Sequence, residues 1–184
     1  MKYLMKSKKE NILEAATGLF IQLGFEKTSV ASICKTANVS KGLVYHHFTS
    51  KDEILIAIYE QSTQEMLNSS LPDTNEKPRD KLIAILEDVF LQIESKNKLY
   101  QFNLNIMFQP STKKILENQI KERAALIFNS VNKIFEKIDP INSKILSYVF
   151  IAEIDGIALS YLSSFEKYPL KEMKNQLIKK YTND

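Results

Sequence analysis

The 184-residue sequence contains a single cysteine, Cys34. An internal disulfide is therefore excluded, a reducing compartment is the natural setting, and no cysteine cluster is available to hold a structural metal. No apolar run approaches the ~18 residues that a bilayer-spanning helix needs. The basic N-terminus, Met1 to Lys9, meets Glu10 and Asn11 where a signal peptide would need its apolar stretch. A cytoplasmic protein with no membrane partner is expected from these absences. No alternating strand pattern of useful length and no internal repeat is found. Nor is there a Ser-His-Asp order, a phosphate-cradling glycine loop or a recognisable pair of carboxylates, so an enzyme is not expected. Arginine is also missing from the front of the chain, where the first is Arg79.

What is present is a chain of 44% hydrophobic residues, enough for one or two modest cores. Charge is unevenly spread. From Met1 to Lys51 there are eight Lys against three Glu, a net of +5, which leaves 17 basic and 19 acidic residues, a net of −2, for the rest. A basic head on a mildly acidic body points to a polyanion-binding front end, with ordinary surface lysine as the alternative.

Helical period dominates the pattern. Ile12, Ala15, Ala16, Leu19, Phe20 and Leu23 recur at three and four, and Gly24 can close that helix in a left-handed conformation. Thr28 or Ser29 can cap a second helix carrying Val30, Ile33 and Ala37 inward, and Ser40 can cap a third reaching about His46. Ser50 and Glu53 have the spacing of a reciprocal capping box opening a long helix to about Asn68. Pro72 to Pro78 reads as a polar linker. Beyond it, Pro78 stands in the first turn of a helix carrying Leu82, Leu86, Val89, Phe90 and Ile93. Pro110 and Ser111 start another to about Glu136, Asp139-Pro140 introduces an apolar one to about Phe165, and a last follows Pro169. The expected fold is all-α with about nine helices.

The second and third helices are too short to stand alone and must pack across one another. Ala37-Asn38-Val39 supplies the turn, with Asn38 at the bend because asparagine is the non-glycine residue that best tolerates positive φ. This is helix-turn-helix geometry. Its second helix presents Ser40, Lys41, Gly42, Leu43, Tyr45 and His46 toward a DNA major groove, while Val44 and Phe48 face the core. Gly42 costs about 1 kcal/mol in a helix, and close approach of backbone to DNA is one reason to keep it. His46, His47 and Cys34 could be imagined as metal ligands. Adjacent helical residues point about 100° apart, however, so no metal site and no cofactor are expected.

Ile12-Leu13-Glu14-Ala15-Ala16, Leu19-Phe20, Gly24-Phe25, Thr28-Ser29-Val30, Ile33, Ala37-Asn38-Val39-Ser40-Lys41-Gly42, Tyr45-His46-His47-Phe48 and Lys51 resemble, in order and spacing, the DNA-binding domain of the tetracycline-repressor (TetR) family. The resemblance covers about residues 8 to 55. Cys34 and Asn38 depart from the alanine and glycine usual there. The resemblance implies that Tyr45 touches phosphate or a thymine methyl, that Lys51 and Thr28 hold phosphates, and that Lys41 and Leu43 face bases. His46 is expected on phosphate and His47 in a packing or hydrogen-bonding role. With Ser29, Ser40 and Gly42 these complete the candidate DNA-binding set. Lacking arginine, the head cannot place bidentate Arg on guanine, so operator recognition is expected to lean on A·T content and shape.

The division expected is residues 1–51 for the DNA-binding domain and 52–184 for ligand binding and dimerisation. In the apolar helix before Phe165, Ala152, Gly156, Ser160 and Ser164 fall at every fourth position. That small-residue stripe fits a homodimer interface, with close packing inside the subunit as the alternative. Glu153 and Asp155 sit in the same helix with their partners open. Leu99 to Phe108 interleaves amides with aromatic and apolar residues, making Tyr100, Phe102, Asn103 and Met107 candidates for a small-molecule effector site, or else simply core. The function expected is that of a ligand-responsive repressor binding a near-palindromic operator as a dimer. An effector-independent architectural DNA-binding protein of the same fold is the alternative.

Overall fold

Ser7 opens the first helix with a complete capping box: its hydroxyl accepts the Glu10 amide, and the Glu10 carboxylate accepts the Ser7 amide at 2.6 Å. The computed structural model describes residues 7–70 and 77–182. Residues 1–6 of the basic N-terminus, and Pro72 to Glu76 of the expected linker, lie outside them. Among the described residues there are ten α-helices and no strand. They are α1 (Lys8–Leu23), α2 (Val30–Ala37), α3 (Lys41–His47), α4 (Lys51–Ser70), α5 (Pro78–Ser95), α6 (Asn97–Phe108), α7 (Pro110–Ile115), α8 (Glu117–Ile138), α9 (Ser143–Leu159) and α10 (Leu170–Thr182), with a single π turn at Ser160–Ser164 after α9.

The all-α expectation holds, with three local differences. The stretch from Pro110 is two helices, because Leu116 leaves the helical conformation to bury its side chain completely. Asp139 does not cap α9. Its carboxylate instead accepts the Asn142 amide and side chain, and the helix begins at Ser143. The Ser50–Glu53 box is half made: Ser50 accepts the Glu53 amide, but the Glu53 carboxylate reaches one residue further back, to the amide and hydroxyl of Thr49 at 2.5 and 2.8 Å. Those two bonds hold the Glu53 carboxyl below the usual carboxylate range.

Two apolar cores result. The first joins Ile12, Ala16 and Phe20 of α1, Ile33 of α2, Val44 and Phe48, and Ile54, Leu55 and Tyr59 of α4 to Phe102, Ile106 and Leu116 further along the chain. The second packs Leu82, Leu86 and Phe90 of α5 against Val131 and Phe135 of α8, Phe150 and Ile154 of α9, and Leu177 of α10. Each such side chain stabilises the fold by roughly 1.5 to 3 kcal/mol through burial. α10 is fastened by Tyr181, whose ring meets Phe135 and Phe150 edge-on and whose hydroxyl donates to Glu153 at 2.7 Å. Lys180 donates to the same carboxylate at 2.5 Å.

One expectation is corrected here. Within Ser143–Ser164 lies an 18-residue window of mean hydropathy 1.6, so this helix has the length and composition of a span. Counting unbroken runs missed it because Glu153 and Asp155 interrupt the sequence without ending the helix.

Candidate nucleic-acid interface and effector-domain cavity

The helix-turn-helix is set by local chemistry. Ser29 caps α2 by accepting the Ser32 amide, and Asn38 closes it at φ 51°, ψ 54°, the only non-glycine residue with positive φ among those described. Ser40 then caps α3 by accepting the Leu43 amide at 3.1 Å. Val44 and Phe48 are buried and anchor α3 to the core. On the opposite face Ser40, Lys41, Gly42, Tyr45 and His46 are exposed, with Leu43 and His47 half-buried. The Lys41 ammonium lies 5.7 Å from the centre of the Tyr45 ring, which is 47% exposed. Gly42 is not required by packing, since a side chain there would meet only Ser40 Oγ, at 3.9 Å. Its bare backbone is presented outward. His46 and His47 contact one another edge-to-face at 5.1 Å, and His47 leans toward Phe48.

Two residues expected on phosphate are engaged inside the subunit. Thr28 is 2% exposed and its hydroxyl donates to the Gly24 carbonyl at 2.8 Å, so it braces the α1–α2 turn and has no free face. Ser29, exposed beside it, holds the helix N-terminus instead. The Lys51 ammonium donates to the carbonyls of Phe25 and Thr28 at 2.8 and 3.0 Å and sits 4.2 Å from the Phe25 ring centre. Only one of its three N–H donors stays available to a phosphate.

Among α4, α5, α6, α8 and α9 an apolar cavity of about 130 Å³ is lined by Met66, Ile85, Tyr100, Ile127, Ile154 and Asp155, among others. Of the four residues expected at an effector site, Tyr100 lines it. Burial pushes the Tyr100 hydroxyl well above its ordinary value, and the nearby Asp155 carboxylate adds to this. Asn103 is one helix turn away, accepting from Ser62 Oγ at 3.3 Å. Phe102 is a correction: it is 5% exposed and stacks on Phe20 at 6.3 Å, because α6 lays that face on the first core. Met107, half-buried, is not in the cavity lining. Asp155, exposed on the subunit surface, borders the cavity, and partial desolvation there pushes its carboxyl upward.

The sequence reading missed Arg123 altogether. Its guanidinium bonds three α4 residues from α8: Nε to Thr63 Oγ1 at 2.6 Å, and Nη2 to the Tyr59 carbonyl at 2.7 Å and Ser62 Oγ at 2.6 Å. The signal available was its rarity, an arginine far down a chain whose other basic residues are almost all lysine.

On α9, Ala152, Gly156 and Ser164 are exposed and Ser160 is half-buried, so the small stripe faces out of the subunit. A β-carbon added at Gly156 would meet nothing within 4 Å beyond its own helix. Beside the stripe lie Ile145 and Tyr148, each 61% exposed, with Val149 and Leu159 also exposed, and Leu126 of α8. Only 28% of the apolar window is buried in the subunit.

Comparison with known proteins agrees with this geometry. The model for bacterial regulatory proteins of the tetR family matches residues 12–58. The HTH-type transcriptional regulator YhgD of Bacillus subtilis is 30% identical over 157 residues, covering 82% of this chain and 69% of that protein. The fatty acid metabolism regulator protein of the same organism is 21% identical, covering 91% and 90%. A crystal structure of a TerR/AcrR-family transcriptional regulator from Aquifex aeolicus superimposes with a TM-score of 0.72 at 26% identity, over 95% of this chain and 97% of that one. With its helix-turn-helix, its all-α body and these relatives, the chain belongs to the TetR family of DNA-binding transcriptional regulators.

Proposed function

We propose that the chain is a homodimeric, ligand-responsive repressor of the cytoplasm, and not an enzyme, that binds a near-palindromic operator through one α3 per subunit. The observation that carries the reading is the face of α3: Lys41, Gly42, Tyr45 and His46 stand exposed on a lysine-rich head while Val44 fixes the helix from behind. Ser29, Ser40, Leu43 and His47 complete the surface around them. Lys51 is assigned chiefly to holding the α1–α2 turn, with one donor left for the backbone of DNA.

The exposed apolar stripe of α9 supports dimerisation, because a face of Ile145, Tyr148, Val149 and Leu159 is covered most economically by a second copy of itself. α4 supports the response. It begins immediately after the reading head and passes Arg123 and the cavity, so a mostly apolar effector that shifts α4 would change the separation of the two heads and weaken DNA binding, by roughly 1 to 3 kcal/mol of coupling. We place the boundary between reading head and effector domain after Lys51, at the first residue of α4.

The test is selection of bound sites from random DNA, followed by affinity measurement on the recovered site with and without a library of small apolar compounds. A dyad-symmetric consensus released by some compound supports the reading. Dyad-symmetric sites that no compound releases or thermally stabilises would favour the effector-independent architectural role, and an asymmetric or absent consensus would overturn the operator model.

A further inference from the structure

Arg123 is held by neutral groups only. Besides its bonds to Tyr59, Ser62 and Thr63, its guanidinium carbon lies over the Tyr59 ring, 3.5 Å from the centroid. No carboxylate among the described residues pairs with it, and Nη1 makes no hydrogen bond there. A half-buried cation without a counter-ion is costly to keep, and burial accordingly pulls the guanidinium below its ordinary value while leaving it charged.

A second observation lies beside it. The Tyr59 hydroxyl is fully buried and has no hydrogen-bond partner among the described residues, an exception to the rule that buried polar groups are paired. A third is the apolar cavity one helical turn further along. Met66 follows Thr63 by three residues and Ile127 follows Arg123 by four, so on both helices the cavity wall begins one turn beyond the polar cluster. Tyr100 belongs to both, lining the cavity and lying within electrostatic reach of Arg123. The arrangement is cationic and hydrogen-bonding at one end and apolar at the other.

We propose that Arg123 is the headgroup site of an amphiphilic anion, a carboxylate or phosphate whose apolar chain enters the cavity. The inference rests on the ligand-responsive reading and gives it a chemical class. An anion meeting the planar fork competes for the donors that tie Arg123 to Tyr59, Ser62 and Thr63. Engagement of the headgroup therefore loosens the strap between α8 and α4, the helix that follows the reading head.

The experiment uses the full-length protein on its selected DNA site, with octanoate, octyl phosphate and octanol as probes and fluorescence anisotropy and melting temperature as readouts. Either anion should release DNA at a concentration about tenfold or more below that of the alcohol, since only the anions make charge-assisted bonds to the fork. The better of the two identifies the headgroup. Arg123→Gln should bring the anions to the level of the alcohol while keeping the alcohol's own effect, and Arg123→Lys, with charge but no fork, should fall between. Anions and alcohol acting equally on the wild-type protein would overturn the headgroup assignment alone. So would an Arg123→Gln protein, folded by its melting curve, that keeps the anion preference. If none of the three probes changes DNA affinity or melting temperature, this inference fails, while the ligand-responsive reading itself stands or falls with the wider compound library.

Discussion

Gly156→Leu separates packing within a subunit from packing between subunits by the sign of its effect. Inside one subunit the position is open, with nothing within 4 Å of an added β-carbon beyond its own helix. A β-carbon there adds no clash and leucine improves helix propensity by somewhat under ~1 kcal/mol, so the isolated subunit should be slightly stabilised. Across a two-fold seam the substitution occurs twice. Overpacking costs about 1 to 3 kcal/mol per site, hence about 2 to 6 kcal/mol per dimer, and a dissociation constant weaker by about 30-fold at the lower end. Sedimentation velocity over a dilution series reads the dimer, and chemical denaturation below the dissociation constant reads the subunit. A dimer of unchanged strength, or a subunit that loses stability, would show that the α9 stripe is not the seam.

Replacing Lys41 by Ala should alter sequence preference and lower the salt slope of DNA binding by about one charge per subunit, seen in affinity titrations from low to moderate salt. Lys51→Met should destabilise the head by about 1 to 3 kcal/mol in denaturation, because the Phe25 and Thr28 carbonyls lose their donor; a full unit lost from the salt slope with stability intact would return Lys51 to the phosphate. Site selection should yield an A·T-leaning consensus, and a strongly G·C-rich one would contradict readout without arginine. Asp155 is exposed on the subunit surface yet partly desolvated, which raises its folded-state pKa, so the wild-type protein loses a little stability, reduced by solvent screening, as pH rises from the ordinary carboxylate value through the raised one. Asp155→Asn should remove that loss, and parallel pH–stability curves for the two proteins would contradict it.

The elements legible in the sequence are those decided within a few residues of themselves. Asn38 at the bend, Ser29 and Ser40 as caps, and Val44 and Phe48 as inward anchors all follow from short-range geometry and helical period. What could not be read depends on distant partners. Thr28 and Lys51 look like surface residues until α4 folds back and the ammonium meets a turn some two dozen positions earlier. Phe102 has the pattern of a pocket aromatic, and only the packing of α6 on α1 assigns it to the core. Arg123 needs α4 and α8 to cross, at a sequence separation of about sixty residues, before its bonds exist. On α9 the small residues stood out by spacing, whereas the exposure of Ile145 and Tyr148 next to them emerges only when the rest of the subunit leaves that face uncovered.

The same distant contacts bear on how a ligand signal can travel. The proposed head ends at Lys51, yet the core beneath it runs on to Tyr59 and is closed by Phe102, Ile106 and Leu116. Phe102 stacks on Phe20 of α1, and Arg123 grips α4 at Tyr59, Ser62 and Thr63. These are two separate holds, one on each of the helices that support the helix-turn-helix from behind. Close-packed interiors transmit displacement with little give, so a shift of α8 that releases α4 while α6 keeps α1 in place rotates the head about the Phe20–Phe102 contact without sliding it bodily. On that geometry Phe102→Ala, a change that costs about 3 to 5 kcal/mol in a packed core, removes the pivot as well as stability. Arg123 substitutions spare the pivot and free the lever. The two should therefore part in their effect: the first weakens DNA binding equally with and without ligand, whereas the second loosens the strap that the headgroup would loosen, so it lowers ligand-free DNA affinity part of the way toward the liganded value and leaves a smaller further response to ligand.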